Sequence, residues 1–316
     1  MSSVRPVFVR TACLALLLLT QSPALPGQEN AEPAVLAARG LLLDVVDTGS
    51  KLVAVGDHGH VVISRDHGLT WAQSPAPTRV LLTGVSFPDE EHGWAVGHDG
   101  VIIATTDGGA SWRRQDDGKQ LETVWLDVLF LDRLRGFAVG AYGKFWQTSD
   151  GGTTWTAAKP SEEEVHFNRI SAGNDGSIYL AGEGGTLLVS RDGAQTWTKL
   201  GIPYDGSLFG TMPLDGSGLL AYGLRGHILR SPDRGNSWEP ANSALQVLIM
   251  GGVRLPDGTI ILGGQGGNFF VSHDDGRTFQ PWKSPSLATS IADLIPVPDG
   301  WVVTVGEAGA VRIKLP

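Results

Sequence analysis

Residues 105–112 read TTDGGASW, a hydroxyl, a carboxylate, two glycines and an aromatic in eight positions. The pattern returns as SRDHGLTW from Ser64, TSDGGTTW from Thr148, SRDGAQTW from Ser190, SPDRGNSW from Ser231 and SHDDGRTF from Ser272. Its aspartates, Asp66, Asp107, Asp150, Asp192, Asp233 and Asp274, follow one another at steps of 41 to 43 residues. A constant step of that size marks one structural unit used repeatedly.

Working outward, each of the six boxes follows a glycine, two variable residues, a glycine and an apolar run. Examples are VGDHGHVVIS, VGHDGVIIAT and AGEGGTLLVS, and a seventh copy, VGEAGAVRIK, closes the series. Seven further apolar runs stand upstream: LLLDVV, LTGVSF, LDVLFL, FNRISA, LFGTMP, IMGGVR and IADLIP. Short runs rich in Val, Ile, Leu and Phe, broken by glycine turns about every ten residues, are strands in hairpins. Four strands in about 41 residues make one propeller blade. The pattern therefore predicts an all-β, seven-bladed β-propeller, a single domain over 28–316. The outer strand is represented six times only, so residues 33–39 are expected to supply the seventh beside Ala310–Lys314, closing the ring by pairing N-terminal and C-terminal strands.

Within a box, the Asp side chain can accept hydrogen bonds from its own turn, the hydroxyl residues assist, and glycine permits positive φ. The aromatic packs between sheets. Six carboxylates on six separate blades cannot form a catalytic pair, so Asp66, Asp107, Asp150, Asp192, Asp233 and Asp274 are read as structural. Ala194 stands where the other boxes have glycine, and that turn is expected to be strained or rearranged.

Bulk properties set the compartment. Arg5 and Arg10 precede an apolar stretch over 11–20, followed by Pro23, Ala24, Pro26 and Gly27, which reads as a signal peptide over 1–27. The apolar stretch is half the length of a membrane span. Cys13, the single cysteine, lies ahead of the leucine run rather than at its end, which argues against lipid attachment. The expectation is an exported protein without disulfides, in the periplasm or an equivalent lumen. Net charge is −9 for the whole chain, and about −11 without the leader. General nucleic-acid binding needs a basic surface and is not expected.

The boxes resemble the Asp-box, or BNR, motif of sialidases, sortilin-type receptors and photosystem II stability and assembly factors. Tandem boxes at this step, each led by VGxxG, are most similar to the last group. That resemblance covers the whole mature chain. It implies a non-catalytic exported chaperone without cofactor or metal, binding a subunit of a membrane complex as a monomer, in the thylakoid lumen where the cell is photosynthetic. The sialidase alternative lacks a catalytic set: the nearest string to its arginine-bearing segment is FNRI over 167–170, behind the third box. A periplasmic accessory protein of a transporter is a further alternative.

Where otherwise matching repeats differ, recognition can be written. The residues between the paired glycines include Asp57, His58, His98, Asp99, Tyr142, Glu183, Arg225, Gln265 and Glu307. In a propeller these turns share one face around the channel, and loops on a rigid ring are the usual binding surface. They are the candidate partner-binding residues. Closing the circle would bring Glu307, Asp57, His58, His98 and Asp99 into one sector, pH-sensitive between about 5 and 7 through its histidines. A metal held by His58, His98 and a carboxylate is a weaker alternative. Arg133 with Arg135, and Arg113 with Arg114, are locally basic and read as solvated faces. Any tryptophan left exposed on the loop face would be a candidate anchor.

Overall fold

The computed structural model describes residues 29–116, 118–241 and 245–315. The signal segment expected over 1–27 lies outside them. Seven antiparallel sheets follow one another along the chain, six of four strands and the last of three. The innermost strands are Leu42–Asp47, Leu82–Ser86, Trp125–Phe130, Phe167–Ala172, Leu208–Pro213, Ile249–Arg254 and Ile291–Val297. Second strands such as Leu52–Gly56 are buried along their whole length, because neighbouring sheets cover both faces.

Each sheet packs on the next through an apolar layer. Val53, Val55 and Val61 of the first blade meet Leu82, Ala95 and Ile103 of the second, and Ile261 and Phe269 of the sixth meet Leu294 and Val302 of the seventh. The last layer joins Val305 to Leu42, Val45 and Ala54, with Leu52 against Val297 and Val303. The ring is therefore a seven-bladed propeller.

Its closure differs from expectation. The third strand of the last blade, Val311–Lys314, has no fourth strand beside it among the described residues. Residues 33–39 instead form a turn and a 3₁₀ helix, Ala37–Arg39, which touches the last blade through one hydrogen bond, Ala310 N–H to Ala38 O at 2.8 Å. The segment and the residues just before it are tied to the first blade instead. Ala31 N–H donates to Ala76 O, Ala34 N–H to Gln73 Oε1, and Arg79 pairs with Glu29 and Glu32. Apolar packing, not strand pairing, closes the seam.

The boxes are corners. Asp107 Oδ1 accepts from the Thr105 hydroxyl at 2.7 Å and from Ser111 N–H at 2.9 Å, and Oδ2 accepts from the Ser111 hydroxyl at 2.5 Å. Thr105 Oγ1 in turn accepts from Gly109 N–H. The same set recurs around Asp66, Asp150, Asp192, Asp233 and Asp274. Trp112 then packs edge-on against Phe87, its ring N–H on Gly109 O. In the fourth box Ala194 keeps the hydrogen bond to Ser190 but at φ 69°, so the turn is strained rather than rearranged.

These bonds hold the carboxylates in their charged form. Burial opposes ionisation of Asp107, but the bonds from Ser111 and Thr105 together bring it down to about 2; Asp274 behaves alike. Asp107→Ala removes an acceptor of three bonds and is expected to cost about 1–2 kcal/mol in urea unfolding. A folded-state pKa below the unfolded value contributes stability above about pH 4 that is lost as pH falls toward about 2. Asp107→Ala should therefore flatten part of the acid limb, and an unchanged limb would remove the box carboxylates as its cause.

Candidate functional site

The turns between second and third strands and the connections between blades lie at one end of the ring. Gly100 N–H donates to Thr123 O, Gly143 N–H to Val165 O and Gly185 N–H to Gly206 O, tying each turn to the connection that follows its blade. The boxes lie at the other end, against the first turns, as with Gly108 N–H on Glu91 O and Gly151 N–H on Leu134 O. Arg133 and Arg135 belong to that far rim and are paired with Asp89 and Asp132. Arg114 pairs with Asp116.

On the loop face the variable residues are placed by backbone demands. His58, Asp99, Tyr142 and Arg225 all sit at φ of 53–57°, in the left-handed region. Their roles then diverge by blade. Asp57 turns back on His58, with Oδ1 accepting His58 N–H at 2.8 Å and Oδ2 3.4 Å from its ring. Glu307 accepts Ser290 N–H, and Gln265 O accepts from the Asn268 amide. His98 N–H donates to Leu81 O, and His98 and Asp99 are half-buried. The groups of this sector thus bond within their own blade or connection. Among the described residues no three His, Cys, Asp or Glu side chains are arranged as metal ligands.

The third to fifth blades carry a different texture. Tyr142, 69% exposed, stands edge-on to His166 with ring centroids 4.7 Å apart, and Glu183 accepts His166 N–H while lying 3.6 Å from its ring. One blade on, Tyr204 stacks on His227 at 4.3 Å and donates its hydroxyl to Leu224 O. Arg225 and these two rings border a concavity of about 910 Å³. Tyr142 and Glu183 were legible as variable turn residues. His166 and Tyr204 were not, because they lie in the connections between blades, and His227 follows the second glycine of its pair. None of the ten tryptophans is exposed, and Tyr142 is the exposed aromatic among the described residues of this face.

Beneath the face lies a charged cluster that sequence reading passed over. Every inner strand carries a bulge after its first residue, which re-aims the third. In chain order the third residues are Asp44, Gly84, Asp127, Arg169, Gly210, Gly251 and Asp293. Arg169 crosses the channel. Its Nη1 lies 3.2 Å from Asp44, its Nη2 3.1 Å from Asp293 and its Nε 3.5 Å from Asp127, and the three carboxyl side chains are all at least 93% buried. Asp44 also accepts Val85 N–H, and Asp127 accepts Ile170 and Val128 N–H. Burial pushes the Asp44 carboxyl well up against the pull of Arg169, with Asp293 and Asp127 adding to the rise. Burial raises Asp127 as well. Burial works against the Arg169 charge too, but the surrounding carboxylates outweigh it. Arg169 is the arginine of the FNRI string, so it is held by the protein's own acids rather than presented to a substrate. Reading the third residue down the seven repeats would have exposed this column.

Comparison with known proteins follows the same span. The sequence profile of the family described as photosynthesis system II assembly factor YCF48 matches residues 63–120 and 117–290. The photosystem II assembly lipoprotein Ycf48 of Synechococcus sp. (strain CC9902) is 30% identical over 254 residues, covering 77% of this chain and 62% of the relative. Its counterpart in Prochlorococcus marinus is 30% identical over 233 residues, covering 73% and 56%. The chain thus spans about 62% and 56% of the length of these curated relatives. A solved structure titled YCF48 bound to D1 peptide superposes with a TM-score of 0.71 at 19% identity, over 91% of this chain and 97% of that one, a likeness of fold.

Proposed function

Since this chain belongs to the photosynthesis system II assembly factor YCF48 family, we propose that it is a non-catalytic, exported assembly factor that binds a protein subunit of a membrane complex through its loop face. The carrying observation is the family match, which runs through the box repeats from residue 63 to 290. A solved protein of the same fold is titled as bound to a D1 peptide, which supports a peptide segment as the ligand. On this reading Tyr142 and Arg225 are the leading contacts, one an exposed ring and the other an exposed cation beside the concavity. Asp57, His58, His98, Asp99, Glu183, Gln265 and Glu307 complete the rim.

The overall negative charge supports a protein partner over nucleic acid. Among the described residues no helix is long and apolar enough to cross a membrane. The two relatives are named lipoproteins, whereas Cys13 precedes the leucine run of this chain; we therefore assign export without a lipid anchor, to the periplasm or a thylakoid lumen, as a monomer.

The test is binding of overlapping peptides that span the D1 protein to the purified mature chain. At least one peptide should be retained, and Tyr142→Ala and Arg225→Ala should each weaken it about tenfold or more, as interface anchors do. Retention of no peptide would overturn the partner class. Retention unchanged in both variants would overturn the assignment of the face.

A further inference from the structure

The seam between the last and first blades has no strand pairing among the described residues, and at its channel edge a carboxyl group from each side meets the same guanidinium. Asp293 of the last inner strand and Asp44 of the first bind the two terminal nitrogens of one guanidinium, at 3.1 and 3.2 Å, and both carboxyl groups are at least 93% buried. One guanidinium serves three carboxylates, so two negative charges stay unmatched if all three ionise. Asp127 has two backbone N–H donors to support its charge, and Asp44 has one.

The other groups that face the pair do not relieve the excess. Arg169, from the opposite side of the ring, is shared with Asp127, and the Tyr222 hydroxyl is neutral, its ionisation opposed by burial. The neighbouring inner strands place Gly84 and Gly251 at the matching positions, and Arg254, at the far end of its strand, is bound to Asp215. The second strands of the first and last blades, Leu52–Gly56 and Trp301–Gly306, carry no titratable side chain. Two carboxyl groups so placed cannot both be charged at low cost.

We propose that Asp44 keeps a proton at neutral pH, directed at the Asp293 carboxylate, and that this proton latches the seam of the ring. With the proton in place the pair is a hydrogen bond from the first blade to the last. Its release to solvent at higher pH leaves two like charges, sharing one guanidinium with Asp127, across a seam closed mainly by apolar packing. Burial and the neighbouring carboxylates, which raise Asp44, act in the same direction. The sign follows: a carboxyl whose folded pKa is raised contributes stability at low pH that is lost as pH rises through that value.

The experiment is hydrogen exchange of the first and last inner strands, residues 42–47 and 291–297, between pH 6 and 9 and corrected for intrinsic exchange. The opening equilibrium of these strands should grow with pH, approaching about tenfold per unit above the pKa of Asp44, while strands of the fourth and fifth blades respond less. Asp44→Asn keeps a donor beside Asp293 and has no proton to release, so its opening should lose the pH dependence. Wild-type opening that ignores pH, or equal dependence in Asp44→Asn, overturns the proposal. Carboxyl carbon NMR on the wild type reads the same question without a variant: an Asp44 carboxyl still protonated at pH 7 supports the latch, and an ionised Asp44 overturns it. The inference concerns the ring itself and stands or falls apart from the partner reading.

Discussion

Arg169→Met lowers the free energy of unfolding by about 3–5 kcal/mol at pH 7, the cost of removing one partner from a buried charge network. The methionine fills similar space, so packing is nearly kept. The loss is of charge. Asp44, Asp127 and Asp293 are left buried around a hole where a guanidinium had met all three. Asp44 and Asp127, already raised by burial, would take up protons more readily still, so the deficit should shrink as pH falls toward about 5 and widen toward about 8. Adding Asp44→Asn and Asp293→Asn to Arg169→Met should recover a large part of the loss, because replacing a buried ionic group with matched neutral partners is often nearly free. Urea denaturation at three pH values reads both effects. A deficit below about 1 kcal/mol at every pH would mean that solvent in the channel screens the cluster and that it stabilises nothing.

Gly264→Ala should be among the most damaging single-methyl changes in the ring, costing more than about 3 kcal/mol. A Cβ at that position would stand 1.9 Å from Leu248 O, with Leu248 C and Ile249 Cα about a further ångström away. These are backbone atoms of the inner strand's entry and cannot rotate aside. The first glycine of every VGxxG-like element shows the same approach, as at Gly56 against Leu41 O and Gly223 against Ser207 O, both within 2.2 Å. Gly201→Ala is the control, for no atom lies within 4 Å of its would-be Cβ and its φ is not in the left-handed range. It should be neutral or slightly stabilising, through a less flexible unfolded chain. If both variants melt together, close backbone approach is not why glycine opens these turns.

How much of this was legible depends on whether the cause is local. The box turns were, because Asp107, Thr105 and Ser111 satisfy one another within seven residues. Ala194 was legible as a strained corner for the same reason. The loop face was legible as a set of positions, since the paired glycines mark each tip. Its texture was not: the meeting of Tyr142 with His166, and of Tyr204 with His227, depends on connections between blades whose course no periodicity describes. The closing strand failed because residues 33–39 were judged by the gap they could fill. Gln73 of the first blade holds Ala34, and Arg79 holds Glu29 and Glu32 just before the segment.

A repeat of about 41 residues, with turn chemistry written afresh in each copy, is enough by itself to specify seven similar sheets, and sheets apolar on both faces must stack in a ring. So the propeller, its structural aspartates and the face that bears its variable turns followed from the order of residues alone. The seam, the aromatic sector and the cross-channel cluster belonged to tertiary structure. Asp44, Asp127, Arg169 and Asp293 are spread over about 250 residues and become neighbours only when the ring closes, where charge, burial and distance act together for the first time.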